Sequence, residues 1–267
     1  MNMNYQELCN TTMEIVKECA TYIAEQHHNR DSWTVEAKGK HDFVTQVDKN
    51  AEKQLIDRLS KLLPEAGFIA EEGTATGRGE KHNWVIDPLD GTTNFIHGVF
   101  PFAISVALLE DDQPVVGVVH EIGLDETFYS WKDGGAWLNG NPIRTSGAGK
   151  LADALIATGF PYTNFERIDR FMDSLTWFMR HSHGLRRLGS AATDIAYVAC
   201  GRYDGFYEYG LHPWDVAAGI LILREAGGAV NDFNGGEDFL FNEEIVCSNG
   251  TLHEEFVKTV KQLMVKE

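Results

Sequence analysis

The sequence predicts an α+β or α/β protein in which sheets and helices are stacked in layers. Two observations point there. Residues 102–131 hold three apolar runs separated by short turns, the pattern of an antiparallel meander, whereas residues 154–265 alternate strand-like and helical runs. With 267 residues, 43% of them hydrophobic, the chain can bury a large core and reads as one domain of two intimate lobes, about 1–145 and 146–267. No internal repeat or low-complexity linker divides it.

In residues 5–28, Leu8, Thr12, Ile15, Cys19 and Ile23 recur at helical spacing with Glu and Lys between them, so an amphipathic helix packs on the body. Residues 35–48, VEAKGKHDFVTQVD, begin extended, carry Lys38 and Lys40, and reach Thr45. Thr45 with Asp48 three residues on has the form of a capping box. The helix it opens turns Ala51, Leu55, Leu59 and Leu62 inward and stops at Pro64. Residues 67–73, GFIAEEG, read as a short buried strand running into Glu71 and Glu72. Desolvating an ion costs several kcal/mol, so either both acids sit in water or at least one meets a cation. The charged, Gly-rich run 73–81 reads as a mobile loop.

The stretch WVIDPLDGTTN, residues 84–94, organises the rest. A buried strand of Trp84, Val85 and Ile86 ends in Asp87, and Pro88 fixes one φ angle between Asp87 and Asp90, which leaves two carboxylates three residues apart at one strand end. Hard divalent cations want such oxygens. Gly91 permits close backbone approach, and Thr92 and Thr93 can begin a helix whose first N–H groups suit a phosphate.

The meander follows, with turns at Asp111-Asp112-Gln113 and Gly123-Leu124-Asp125, and then a tight turn at Asn139-Gly140. Beyond it come a strand at 154–158, a helix at 165–181, a small-residue helix at 190–200 and a strand at 203–208. HPWD at 212–215 opens a helix that Gly227-Gly228 stops, and a strand at 244–247 leads to a terminal helix from His253. Acids thus end elements five times, at Glu71, Asp87, Asp90, Glu208 and Asp215. A chain that repeatedly ends elements in acid builds a shared cation pocket.

Other chemistries are poorly served. The formal net charge of −17, with no basic run, argues against electrostatic binding of nucleic acid. Cys9, Cys19, Cys200 and Cys247 are too scattered for a zinc site or a disulfide framework, and the N-terminus has no signal-like h-region, so a soluble cytoplasmic protein is expected. Ser190 lies in no G-x-S-x-G elbow, Cys200 has no nearby base, and His212 reads as structural or as a support behind the site.

FIAEEG at 68–73, WVIDPLDGTTN at 84–94, GSAATDIAYVACGRYDGFYE at 189–208 and PWDVAAG at 213–219 together resemble the inositol monophosphatase family, within the superfamily of lithium-sensitive, magnesium-dependent phosphatases. The similarity runs from KGKHDFVTQVD at 38–48 through EAGG at 225–228, with four motifs in the family's order. It implies a layered α-β-α-β-α sandwich of the inositol monophosphatase and fructose-1,6-bisphosphatase type, in a homodimer. By the resemblance, Glu71, Asp87 and the carbonyl of Leu89 hold one magnesium, Asp87, Asp90 and Asp215 a second, and a third sits near Glu71 through waters. Thr92 and Glu71 orient the attacking water, and the N–H groups of Gly91 and Thr92 take phosphate oxygens. Asp90 and Asp215 also border the substrate, while Glu208 and the backbone around Ala191 face its sugar-like part. Lys38 matches a family lysine, with Lys40 close enough to compete for that role.

The implied reaction is hydrolysis of myo-inositol monophosphate to myo-inositol and phosphate, which needs a nucleophilic water, a clamp on charged oxygens and help for the leaving alkoxide. Relatives by chemistry act on fructose 1,6-bisphosphate, 3′-phosphoadenosine 5′-phosphate or histidinol phosphate. Glu208 favours a hydroxyl-rich substrate over one with a second phosphate. A regulatory binding role of the same fold is the alternative of another class.

Overall fold

A computed structural model describes residues 3–29, 33–39, 42–75, 77–162 and 164–265, with backbone alone at 37–39 and 42–44. Its five layers are the α-β-α-β-α sandwich expected. Helices α1 (Tyr5–His28) and α2 (Gln46–Leu62) lie together on one face of a seven-stranded sheet. That sheet runs in the order β3 (Gly67–Ala70), β4 (His82–Asp90), β5 (Ala103–Glu110), β6 (Gln113–Glu121), β7 (Glu126–Trp131), β8 (Ala136–Leu138), β9 (Asn141–Ile143). All neighbours in it are antiparallel except β3 and β4. Helices α5 (Ala191–Ala199) and α6 (Pro213–Glu225) fill the space between this sheet and a five-stranded mixed sheet. The order there is β11 (Gly184–Arg186), β10 (Leu155–Thr158), β12 (Gly205–Tyr209), β14 (Glu244–Asn249), β13 (Gly228–Asn231). Its far face is covered by α4 (Ile168–His181) and α7 (His253–Met264). A hairpin of β1 (Val35–Gly39) and β2 (Asp42–Thr45) precedes α2, and the short α3 (Thr92–His97) follows β4.

Three apolar cores lie between the five layers. Leu55, Leu59 and Ile15 meet Trp84, Ile86 and Val106 beneath α1 and α2. Ile195, Ile220 and Leu223 pack between the sheets, and Phe171, Phe178 and Phe256 pack under the five-stranded one. This layering explains why AISVALLE in β5 is apolar on both sides rather than alternating, and why every residue of α5 is buried.

The capping box is present: Asp48 Oδ2 accepts from the backbone N of Thr45 at 2.9 Å, and Thr45 Oγ1 accepts from Val47 N at 3.0 Å. Leu63, just past the helix, is buried where Leu62 was expected to be. The turns take their forecast form, with left-handed φ values at Asp111 (49°), Asp112 (59°), Asn139 (47°) and Gly140 (82°). Two strands escape the sequence reading. β11 is only three residues long, and β13 begins inside the Gly227-Gly228 pair that ends α6. α4 starts at Ile168, three residues later than its aromatic pattern suggests.

β4 also runs further than expected, through Pro88 to Asp90. Its pairing with β5 slips between Asp87, opposite Ser105, and Asp90, opposite Ala103. Strict alternation would send residues three apart to opposite faces. The extra residue cancels that parity, so Asp87 and Asp90 share one site. Among the described residues, no helix is long and apolar enough to cross a membrane.

Candidate active site

A pocket of about 320 Å³ opens where the end of β4, the start of α5, β12 and the start of α6 converge. Its floor is acidic. Asp87 and Asp90 come from the irregular end of β4 and Asp215 from the first turn of α6, and one carboxylate oxygen of each lies within 4.8 Å of the others. Asp87 Oδ1 accepts from Leu89 N at 2.9 Å, and Asp215 Oδ2 accepts from His212 N at 2.6 Å. Asp90 Oδ2 accepts from Ser190 Oγ and Ala192 N, both at 2.7 Å. Glu71, at the end of β3, lines the same pocket, and its side chain hydrogen-bonds Asp87.

Burial, then the neighbouring Glu71, Asp90 and Asp215, push the Asp87 carboxyl well above the usual carboxylate range. Burial, and after it Asp90, does the same to Asp215. Asp90 rises only to about 6, because Ser190 and the N–H groups opening α5 offset part of the burial. The floor crowds carboxyls together in a low dielectric, with Arg187 as the nearby cation that lowers the Asp90 pKa.

Gly91 caps α3 with φ 94°, and a Cβ there would lie 3.1 Å from Gly189 O and 3.2 Å from Pro101 O, so both conformation and space require glycine. Thr92 Oγ1 reaches Asp48 Oδ1 at 2.9 Å and Leu89 O at 3.0 Å. Asp48 is fully buried on α2.

The opposite wall differs. Glu208, on β12, presses its carboxylate over the bare Cα of Gly159, where a Cβ would fall 1.9 Å from Oε1, and burial raises its pKa to about 8. Beside it Arg187 is held over the rings of Phe160 and Tyr162, at 5.1 and 5.4 Å. Among the described residues it is the only Lys or Arg lining the pocket. Ala191 sits at the mouth of α5, and Asp194, one turn on, is buried with Oδ1 lacking a hydrogen-bond partner.

With that geometry in place, a family profile described as the inositol monophosphatase family matches residues 4–264. The chain belongs to that family. An inositol-1-monophosphatase from Mesorhizobium japonicum is 41% identical over 96% of each chain. The Nus factor SuhB of Escherichia coli K12 is 41% identical over 91% of each. Among solved structures, the extragenic suppressor protein suhB of Bartonella henselae superposes with a TM-score of 0.91 at 36% identity, covering 96% of this chain and 99% of that one. The IMPase of Thermotoga maritima gives 0.88 at 35% identity, covering 96% and 98%. Membership in the inositol monophosphatase family makes phosphomonoester hydrolysis with a metal the supported chemistry.

The structure brings Glu71, Asp90, Gly91, Thr92, Ala191, Glu208 and Asp215 to one pocket, with Asp87 and Leu89 beneath it. Lys38 lies on β1 by its backbone, its side chain is outside the description, and Lys40 is outside the described residues. The sequence reading took Asp48 for a cap alone, because a capping box accounts for one oxygen and gives no sign of what the other meets. Arg187 was missed as well, since a basic pair before Gly189 carries no spacing signal. Cys200 and Ser190 behave as expected: burial raises the thiol's pKa, and the Ser190 hydroxyl is committed to Asp90.

Proposed function

We propose that the pocket hydrolyses a phosphomonoester with magnesium, most favourably myo-inositol monophosphate. The observation that carries this reading is the cluster of Asp87, Asp90 and Asp215, the last two lining a pocket whose other wall holds Glu208. The trio fits a hard cation: its donors are all oxygens, and their crowded burial raises the cost of ionising them without one. Glu71, Asp87 and the Leu89 carbonyl would hold one ion, and Asp87, Asp90 and Asp215 a second, with a third near Glu71. Bound there, magnesium would neutralise phosphate oxygens, stabilise the departing oxygen and lower the pKa of a water.

Asp48 accepts the Thr92 hydroxyl proton, which leaves the Thr92 oxygen able to accept a hydrogen from the attacking water. Glu71 borders the same place and would orient that water from the other side. The water oxygen bonds to phosphorus as the ester P–O bond breaks, and the proton the water gives up ends on the departing alkoxide, which leaves as the alcohol. The N–H groups of Gly91 and Thr92 would receive phosphate oxygens. Glu208 and the backbone at Ala191 would hold substrate hydroxyls, and Lys38 or Lys40 would be the further substrate contact that the resemblance implies.

Hydrolysis assayed with magnesium across myo-inositol 1-phosphate, fructose 1,6-bisphosphate, 3′-phosphoadenosine 5′-phosphate and histidinol phosphate tests the reading. The inositol ester should turn over fastest, chelator should abolish the rate, and calcium, with its looser shell, should not restore it. Millimolar lithium should inhibit. A rate that survives chelator sinks the reading. The relatives named Nus factor SuhB favour a second one, a regulatory binding role on the same fold. An inert panel, with intact cation binding, would favour that role.

A further inference from the structure

Glu52 belongs to α2, lies one turn beyond Asp48, and is as completely buried. Its Oε2 accepts from the backbone N of Glu72 at 2.7 Å. Its Oε1 accepts from Thr74 N at 2.8 Å and from Thr74 Oγ1 at 2.6 Å. On the preceding side, Glu71 N donates to Ile86 O of β4 at 3.2 Å. The segment that carries Glu71 is therefore held before it by the sheet and after it by one buried carboxylate. Asp48 does for Thr92 what Glu52 does for the 71–74 turn, and residues four apart on a helix share a face. Two arms of the pocket, the 71–74 turn and the start of α3, thus hang from a single helix.

We propose that Glu52 is a positioning residue that keeps the Glu71 carboxylate aimed at Asp87 for cation binding, an inference that rests on reading Glu71 as a cation ligand. A carboxylate suits the task because it is acceptor-only. Three donors, two of them backbone N–H groups that cannot reorient, converge on its two oxygens. Glutamine would turn one of those oxygens into a donor facing a donor, and the turn would have to shift.

Manganese binding to the substrate-free protein, followed by electron paramagnetic resonance, gives a readout that activity alone does not. Glu52→Gln is expected to weaken binding by about tenfold or more, the usual effect of removing an outer partner of a ligand. Its magnesium requirement for hydrolysis should rise in parallel, and Glu52→Asp should recover part of the affinity. Thr74→Ala, on an exposed residue, removes one of the three bonds without touching the core and should give a shift of roughly two- to threefold. It carries the test should Glu52→Gln fail to fold. Glu71→Gln separates the two claims. If it weakens manganese binding while Glu52→Gln and Thr74→Ala leave it unchanged, the positioning role is overturned and the ligand assignment stands. If Glu71→Gln itself leaves binding unchanged, both fall.

Discussion

Buried carboxylates occur in two settings in this molecule, and the contrast between them locates the chemistry. At the end of β6, Glu121 accepts from Gly123 N at 2.8 Å and Leu124 N at 2.7 Å. After β13, Asp232 Oδ1 accepts from Asn234 N and Gly236 N, both at 2.8 Å. These acids fold their own turns and are satisfied by them. On the pocket floor, Asp87 and Asp215 each take a backbone N–H from a nearby residue and otherwise face other acids. Asp87 is as buried as the turn acids, and Asp215 is half-buried. What differs is the neighbours: each turn acid receives two N–H groups, whereas the floor acids crowd one another, which is the reason the proposed cation is placed on the floor.

Neutralising one acid in each setting should break the symmetry most sharply. Asp90→Asn removes a charge from the proposed cation site and should lower kcat on the order of 100-fold or more, with a weaker response to magnesium. Asp232→Asn should leave kcat within about twofold and cost roughly 1 kcal/mol of stability through one weakened N–H acceptor. Steady-state rates and melting curves on the two variants decide it. Comparable kcat losses would mean that the floor has no special role.

A smaller effect is expected on the recognition wall. Glu208 faces hydroxyls that do not react, and a bond made equally in ground and transition states changes KM rather than kcat. Glu208→Gln should raise KM for the inositol ester about tenfold, close to one charge-assisted hydrogen bond, and narrow the preference among phosphomonoesters. A collapse of kcat with KM unchanged would place Glu208 in the reacting machinery instead.

How much of this was legible beforehand depended on how local the cause was. The layered fold followed from periodicity that spans whole elements, and α1 and the three long meander strands sit close to where their patterns put them. The acids on the floor were legible because each lies at or near an end of an element. Their convergence was not, since it needs the parity slip between Asp87 and Asp90 and the crossing of α6 against β4. The second oxygen of Asp48 and the whole of Glu52 act across 20 or more residues of sequence, on Thr92 and on Glu72, and such partners leave no mark at helical spacing. Arg187 depends on rings at 160 and 162 that come from another segment.

The smallest effect is the most diagnostic of the unmatched charge, and it is read in chelator as melting against pH. Carboxyls whose pKa is raised on folding stabilise the fold only while they hold their protons. That contribution is complete below the unfolded value near 4 and disappears as pH rises through the folded value, about 6 for Asp90 and about 8 for Glu208. His120 works in the opposite sense. Burial, against a smaller raising effect of Asp125, lowers its pKa to about 4, so its contribution grows from pH 4 and is complete above about 6.5. The window from about pH 6.5 to 8.5 therefore lies above the His120 transition and spans that of Glu208. Across it the metal-free protein should lose about 2 kcal/mol from Glu208, or roughly 4–8 °C in melting temperature. Glu208→Gln should remove the Glu208 part of that slope, and saturating magnesium should reduce the part that the floor acids contribute by stabilising their ionised form. A melting temperature that stays level from pH 6.5 to 8.5 in chelator would show that these carboxyls are already satisfied, and the contrast with Glu121 and Asp232 would lose its meaning.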